Sequence, residues 1–226
     1  MKRLLLPIIL GLMFLPVTCH AAWTASDNFE SYSNGASLSG ASGGSGWNGN
    51  WTTTLGTWSV QNATAANSTT LSGNTTSGSA TLNRTITSIS IGSYCFYMRN
   101  GSTTGNWYHV LNNSTGQATG YAVLMGFESG NIVAYNGGTG TTLLTGYNIN
   151  QWYKICIDFG SVANTYKVSI DGGAYSSNLN FGTTGAVTNF QFYFGGGTGP
   201  NFSFDEIAPA SGGSTYSPYV LEILSL

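Results

Sequence analysis

Apolar and polar residues alternate with a period of two along most of this chain. In Trp152–Phe159, Tyr153, Ile155, Ile157 and Phe159 fall on one side, with Lys154, Cys156 and Asp158 on the other. In the run that follows, Tyr166, Val168 and Ile170 alternate with Lys167, Ser169 and Asp171. Such alternation predicts half-buried antiparallel strands. The connection between them, Ser161-Val162-Ala163-Asn164-Thr165, suits a hairpin, and Asp171-Gly172-Gly173 suits the next tight turn, since glycine tolerates positive φ.

The same period recurs elsewhere. Tyr121, Val123, Met125 and Phe127 share a face before a Ser129-Gly130-Asn131 turn. Phe190, Phe192 and Phe194 share another, and Phe202 and Phe204 are placed inward. Between Ile86 and Met98 the apolar parity changes at Gly92-Ser93, which predicts a bulge or a break between two strands. Residues 63–81 are Ser/Thr/Asn/Gly-rich with little to bury, so loops and an edge strand are expected there. No stretch has helical periodicity with caps, and no fixed-period repeat is visible. About a dozen strand-like runs separated by turn signals predict an all-β, antiparallel sandwich.

Two stretches add a resemblance. The succession Asp27-Asn28-Phe29-Glu30-Ser31-Tyr32, a glycine-rich segment, then Trp47, Trp51 and Thr57-Trp58-Ser59-Val60 resembles the start of secreted laminin-G-like jelly rolls. The Trp152-led strand followed by Tyr166-Lys167-Val168-Ser169-Ile170-Asp171-Gly172 is similar to their central hairpin. The resemblance implies a concanavalin A-like jelly roll over residues 22–208. The glycine-rich stretch is then expected to cover the sandwich, and residues 209–226 to form a linker and tail.

Composition narrows the partners. Only 6% of residues are charged and 13% are aromatic, which favours a folded chain with a Thr/Asn surface over disorder. Lys2 and Arg3 precede an apolar run to Val17, closed by Ala21 and Ala22, the pattern of a secretory signal peptide cleaved after Ala21. The remaining chain, residues 22–226, would carry four basic residues against eight acids, a net charge of −4. Nothing there could neutralise a run of phosphates, so nucleic acid is excluded as a partner, and the mature chain is expected to hold no stable membrane anchor. The compartment expected is extracellular, cell-surface or periplasmic.

Such a compartment permits disulfides. Cys95 and Cys156 each sit opposite the apolar face of their own strand, as a cross-strand pair would. A bond closing about 60 residues is the expectation, worth roughly 4 kcal/mol of loop entropy; two separate thiols are the alternative.

The chemistry-bearing residues are few. A glycosidase needs two carboxylates about 5–10 Å apart across the scissile bond. The jelly-roll hydrolases that the fold resembles take theirs from one Glu-x-Asp-x-Glu type of run, which is absent here. A lyase-like set of Tyr108, His109, Arg99 and Gln191 could be assembled, but a lone strand histidine reads first as a core residue. No catalytic residue is therefore assigned. The resemblance also implies a structural Ca²⁺ between the chain ends, for which Asp27, Glu30 and Asp205 match.

Sugar recognition rests on rings stacked on pyranose faces and amides bonded to hydroxyls. Trp107, Tyr108 and Tyr135, with Asn106 and Asn136, adjoin Gly/Asn-rich loops and are the candidate ligand residues; Trp47 and Tyr175 also fall outside the clear core pattern, while Trp51 and Trp58 are expected in core or loop-cover roles. The function expected is a secreted, non-catalytic glycan-binding or adhesion module with a polysaccharide or glycoconjugate partner. The alternatives are a divergent glycoside hydrolase or lyase, or a self-associating structural component of a surface layer or matrix.

Overall fold

The computed structural model describes residues 22–67, 69–113, 120–197 and 201–210. The expected signal peptide therefore lies outside the described residues, as does the expected 209–226 linker and tail except for Pro209, which ends the last strand, and residue 210. Among the described residues, fourteen strands form two seven-stranded antiparallel sheets. The first holds, in spatial order, β1 (Thr52–Leu55), β4 (Thr81–Ile89), β13 (Val187–Gly197), β6 (Gly105–Asn112), β7 (Tyr121–Glu128), β8 (Asn131–Asn136) and β9 (Thr139–Leu144). The second holds β12 (Leu179–Asn180), β11 (Thr165–Ile170), β10 (Trp152–Phe159), β5 (Gly92–Asn100), β14 (Phe202–Pro209), β3 (Ser72–Thr75) and β2 (Ser59–Gln61). The chain crosses repeatedly between the sheets, from β1 to β2, β3 to β4, β4 to β5, β5 to β6, β9 to β10, β12 to β13 and β13 to β14, which winds the sandwich into a jelly roll. Among the described residues no helix is long and apolar enough to cross a membrane.

The parity change at Gly92-Ser93 is the crossover from β4 to β5, a break between sheets. Each sheet turns its apolar set inward. Phe190, Phe192, Trp107, Met125 and Phe127 from the first sheet meet Tyr94, Phe96, Ile155, Ile157, Phe202 and Phe204 from the second in one buried cluster. The central hairpin pairs as expected, with Ile157 opposite Val168 and Phe159 opposite Tyr166. Between β7 and β8 the two-residue turn Ser129-Gly130 has φ of 49° and 80°, the double left-handed geometry that matches strand twist.

Two expectations on strand placement change. Ser72–Thr75 is not an edge strand; it lies buried between β14 and β2. Its Gly73 is required by packing, because a Cβ there would sit 2.6 Å from the Phe204 ring. Tyr121 does not share the face of Val123. The register shifts between Leu111 and Asn112, so Ala122 enters the core and Tyr121 turns outward against Tyr108, Val110 and Leu124.

The glycine-rich N-terminal stretch packs onto the sandwich. Ser26 bridges Ser45, Asp27 bridges Ile207, Ser37 bridges Ser59 and Trp47 bridges Ile86. Under this cover Asp27 and Arg84 form an ion pair at 2.8 Å, and the guanidinium lies over the rings of Trp47 and Trp51 at 4.7 and 5.0 Å. Trp47 and Trp51 are thus core-covering rings held by a cation.

Cys95 and Cys156 stand directly opposite each other on β5 and β10 and are joined by a disulfide across 61 residues. Their Cα atoms are 4.1 Å apart, near the close spacing of antiparallel partners whose side chains approach most.

Candidate functional site

Strand alternation sends a second set of residues to the outward face of the first sheet. Tyr193 of β13 stands opposite Tyr108 of β6, and Tyr108 opposite Gly126 of β7. The next row runs from Asn83 through Gln191 and Val110 to Leu124. Tyr121, Tyr135 and Tyr193 pack against Tyr108, Val110 and Leu124 as a small apolar cluster separate from the core. Four tyrosine rings therefore surround two aliphatic side chains on one face of one sheet.

The rings are held in place. Tyr108 stacks on Tyr193 with centroids 5.2 Å apart and meets Tyr135 edge-on at 6.1 Å. The Tyr135 hydroxyl donates to Glu128 Oε2 at 2.7 Å, beside the Tyr108 ring. Burial pushes Tyr108, Tyr135 and Tyr193 above the ordinary phenol range, with Glu128 adding to the shift, so all three remain neutral donors. From beneath, the interior Tyr166 hydroxyl donates to the carbonyls of Leu124 and Tyr135, at 3.0 and 2.6 Å, and ties the platform to the second sheet.

Glycines make room for the rings. A Cβ on Gly195 would come within 2.3 Å of the Tyr108 ring, and one on Gly182 within 2.2 Å of Tyr121. Beside the rings lie amides with unused capacity. Gln191 Nε2 donates to Asn83 Oδ1, yet Gln191 Oε1, Asn83 Nδ2 and Asn189 Oδ1 are buried without a hydrogen-bond partner. Each such group costs about 1–3 kcal/mol unless something supplies the missing bond, and native proteins keep few of them.

The residues singled out by sequence divide. Tyr108 and Tyr135 stand together on this face, although nothing in the geometry yet assigns them a ligand. Trp107 is a correction: it is fully buried and its ring stacks on Phe202 at 4.9 Å, because odd positions of β6 point into the core. Asn106 Oδ1 accepts from the Ser129 amide, and Asn136 Oδ1 from Asn180, so both fasten neighbouring turns and strands. Tyr175 lies elsewhere, with Lys167 Nζ 5.5 Å over its ring. Sequence reasoning did not place Tyr193 and Asn83 in a site. Their alternation with core phenylalanines and leucine is the signal that marks them as outward.

The lyase-like set does not assemble. His109 points inward, with Nδ1 3.1 Å from the Gln191 carbonyl and Nε2 2.5 Å from the Tyr94 hydroxyl. A carbonyl only accepts, so Nδ1 carries the proton and Nε2 accepts from Tyr94. Burial pulls the imidazole down to about 3. Gln191 itself faces outward, and Arg99 lies on the other sheet, bound to Asn150. Glu128 is the one carboxylate at the tyrosine face among the described residues; Glu222 lies outside them.

The carboxylates matched to calcium do not fit that ion. Asp27 Oδ2 already accepts from Tyr32, Trp51 and Arg84. Glu30 accepts the backbone amides of Thr70 and Leu71 and the Thr70 hydroxyl. Asp205 accepts from Ala66, Thr69 and its neighbour Glu206. Protein donors occupy the lone pairs that a hard cation needs, and no group of three metal-ligating side chains occurs among the described residues.

No family model matches the chain, and no curated protein matches it in sequence. Solved structures do resemble it. The Bacillus licheniformis beta-glucanase is 12% identical over 83% of this chain and 98% of its own, with a TM-score of 0.49. The carbohydrate binding module CBM66 from Bacillus subtilis is 13% identical over 70% of this chain and 92% of its own, with a TM-score of 0.47. A sialidase is 11% identical with a TM-score of 0.48, and there the match spans only 15% of the sialidase chain. The fold class rests on the strand order described above: an all-β, concanavalin A-like jelly-roll sandwich.

Proposed function

We propose that this protein is a secreted, non-catalytic glycan-binding module and that the outward face of the first sheet is its ligand face. The observation that carries the reading is the joint presence there of Tyr108, Tyr121, Tyr135 and Tyr193 with the unpartnered amide atoms of Asn83, Asn189 and Gln191. Sugar rings offer apolar faces to aromatic rings and hydroxyls to amides, so the two halves of this surface match the two halves of a saccharide. The Cys95–Cys156 disulfide is consistent with export to an oxidising compartment.

The hydrolase alternative is disfavoured by chemistry. Acid and base carboxylates must flank one bond, and Glu128 has no second carboxylate beside it at this face among the described residues. The test is a depletion assay against a panel of neutral and acidic polysaccharides, with released sugar measured in parallel. Selective depletion without sugar release, lost in Y135A and Y193A, supports the reading. Release of reducing ends, or binding unchanged in both variants, overturns it.

A further inference from the structure

The outward face of the second sheet carries a different kind of surface. Arg99, Lys154 and Lys167 alternate outward on β5, β10 and β11, so every basic side chain among the described residues except Arg84 lies on this side. Lys167 pairs with Asp158 at 3.1 Å. Arg99 has no carboxylate partner among the described residues, and burial alone holds its guanidinium below the ordinary range.

Arg99 borders a groove of about 430 Å³ that runs across β2, β3 and β5. Its other walls are polar and uncharged, with Gln61, Thr64, Asn74, Asn150 and Asn201 among them. The cation is positioned and not merely present. Its Nε donates to the Asn150 carbonyl at 2.8 Å and Nη2 to Asn150 Oδ1 at 2.9 Å, which leaves Nη1 without a partner among the described residues.

Asn150 and Asn201 both adopt left-handed backbone, with φ of 62° and 86°. They are fastened to the Asn100-Gly101 turn by Asn150 N to Asn100 O at 2.8 Å and Gly101 N to Asn201 O at 2.9 Å. Asparagine tolerates this backbone region, and the two turns fix where these side chains stand beside Arg99.

We infer that this groove is a second binding site, one that takes an acidic saccharide whose carboxylate or sulfate group pairs with Arg99 while its hydroxyls bond to the surrounding amides. A guanidinium fork recognises planar or tetrahedral oxyanions through paired donors. A partly buried guanidinium whose protein partners are neutral gains a charge-assisted pair from an anionic ligand. Polyphosphate chains are a poor alternative, because a single oriented cation cannot follow a run of phosphates on a chain this acidic overall. The inference does not rest on the tyrosine face, which lies on the other sheet.

Affinity electrophoresis of the purified protein in gels holding a polyuronate, dextran sulfate or neutral dextran tests it. Retardation by the polyuronate or the sulfated polymer, but not by dextran, is expected, and which polymer acts identifies the anion. R99Q should weaken that retardation at least about tenfold, with R99K weakened less. Raised salt should weaken the wild type and leave R99Q little altered. Cooperative melting of R99Q near the wild-type midpoint shows that the loss is one of binding. Equal retardation of R99Q and wild type, or no retardation by either acidic polymer, overturns the inference, and neither result bears on neutral glycans at the tyrosine face.

Discussion

The Arg84 guanidinium meets the Asp27 carboxylate at 2.8 Å with both side chains almost wholly shielded from water. Arg84 also donates to the carbonyls of Gly49 and Gly43, at 2.9 and 2.7 Å. One side chain therefore staples the N-terminal cover to β4. Breaking such a pair leaves its partner charge buried and typically costs about 3–5 kcal/mol. R84A should lose that much in urea unfolding. A loss below about 1 kcal/mol would mean that the cover contributes little to the stability of the sandwich.

Two buried groups oppose each other in their response to pH. His109 is pulled down to about 3, so its contribution is intact above about 6.5, the unfolded value, and is lost as pH falls toward the folded one. Burial pushes Asp205 up to about 7 against the donors that bind it, so its contribution is intact below about 3.9 and is lost as pH rises through that folded value. Between about pH 4 and 6.5 each acts with a limiting slope of about 1.4 kcal/mol per pH unit, in opposite directions. Relative to wild type, D205N should therefore lose stability more steeply on acidification and H109Q less steeply. Denaturant melts of the three proteins across that range give the comparison, and parallel curves would show that neither group titrates as its burial implies.

The Tyr108 ring occupies the space where a Gly195 side chain would begin. Gly195 does not have the left-handed backbone that only glycine favours, so G195A tests ring placement with little backbone strain. It should displace Tyr108 and weaken glycan binding several-fold while the melting midpoint changes by a few degrees. Wild-type binding in G195A would remove Tyr108 from the ligand face.

Because Asp27, Glu30 and Asp205 are each occupied by protein donors, millimolar calcium should leave the melting midpoint within about a degree of that in chelator. A binding ion would raise it with concentration. A calcium-dependent rise reversed by chelator would restore the metal assignment to these acids.

Periodicity along the chain was enough to reveal the strands, the hairpins at Ser129-Gly130 and Ser161–Thr165, and the facing of Cys95 and Cys156. Each depends on which side of its own strand a residue occupies, and a period of two records that locally. Tyr108 could be singled out beside a loop, but its fellows Tyr193 and Glu128 come from β13 and from the end of β7, far from it in sequence. Their meeting depends on sheet order, which local alternation does not encode. Trp107 shows the same limit from the other side. Alternation of Trp107, His109 and Leu111 fits either face of β6, and only the packing of Trp107 against Phe202 of the opposite sheet decides that these residues point inward. The acids illustrate the same limit. Asp27 and Asp205 look like free ligands in the sequence, whereas Arg84, Trp51, Ala66 and Thr69 arrive from distant segments to fill their lone pairs. Pairing within a strand's own neighbourhood is a property of sequence; the partners brought to a buried charge are a property of the tertiary fold, because burial requires them and spacing along the chain does not.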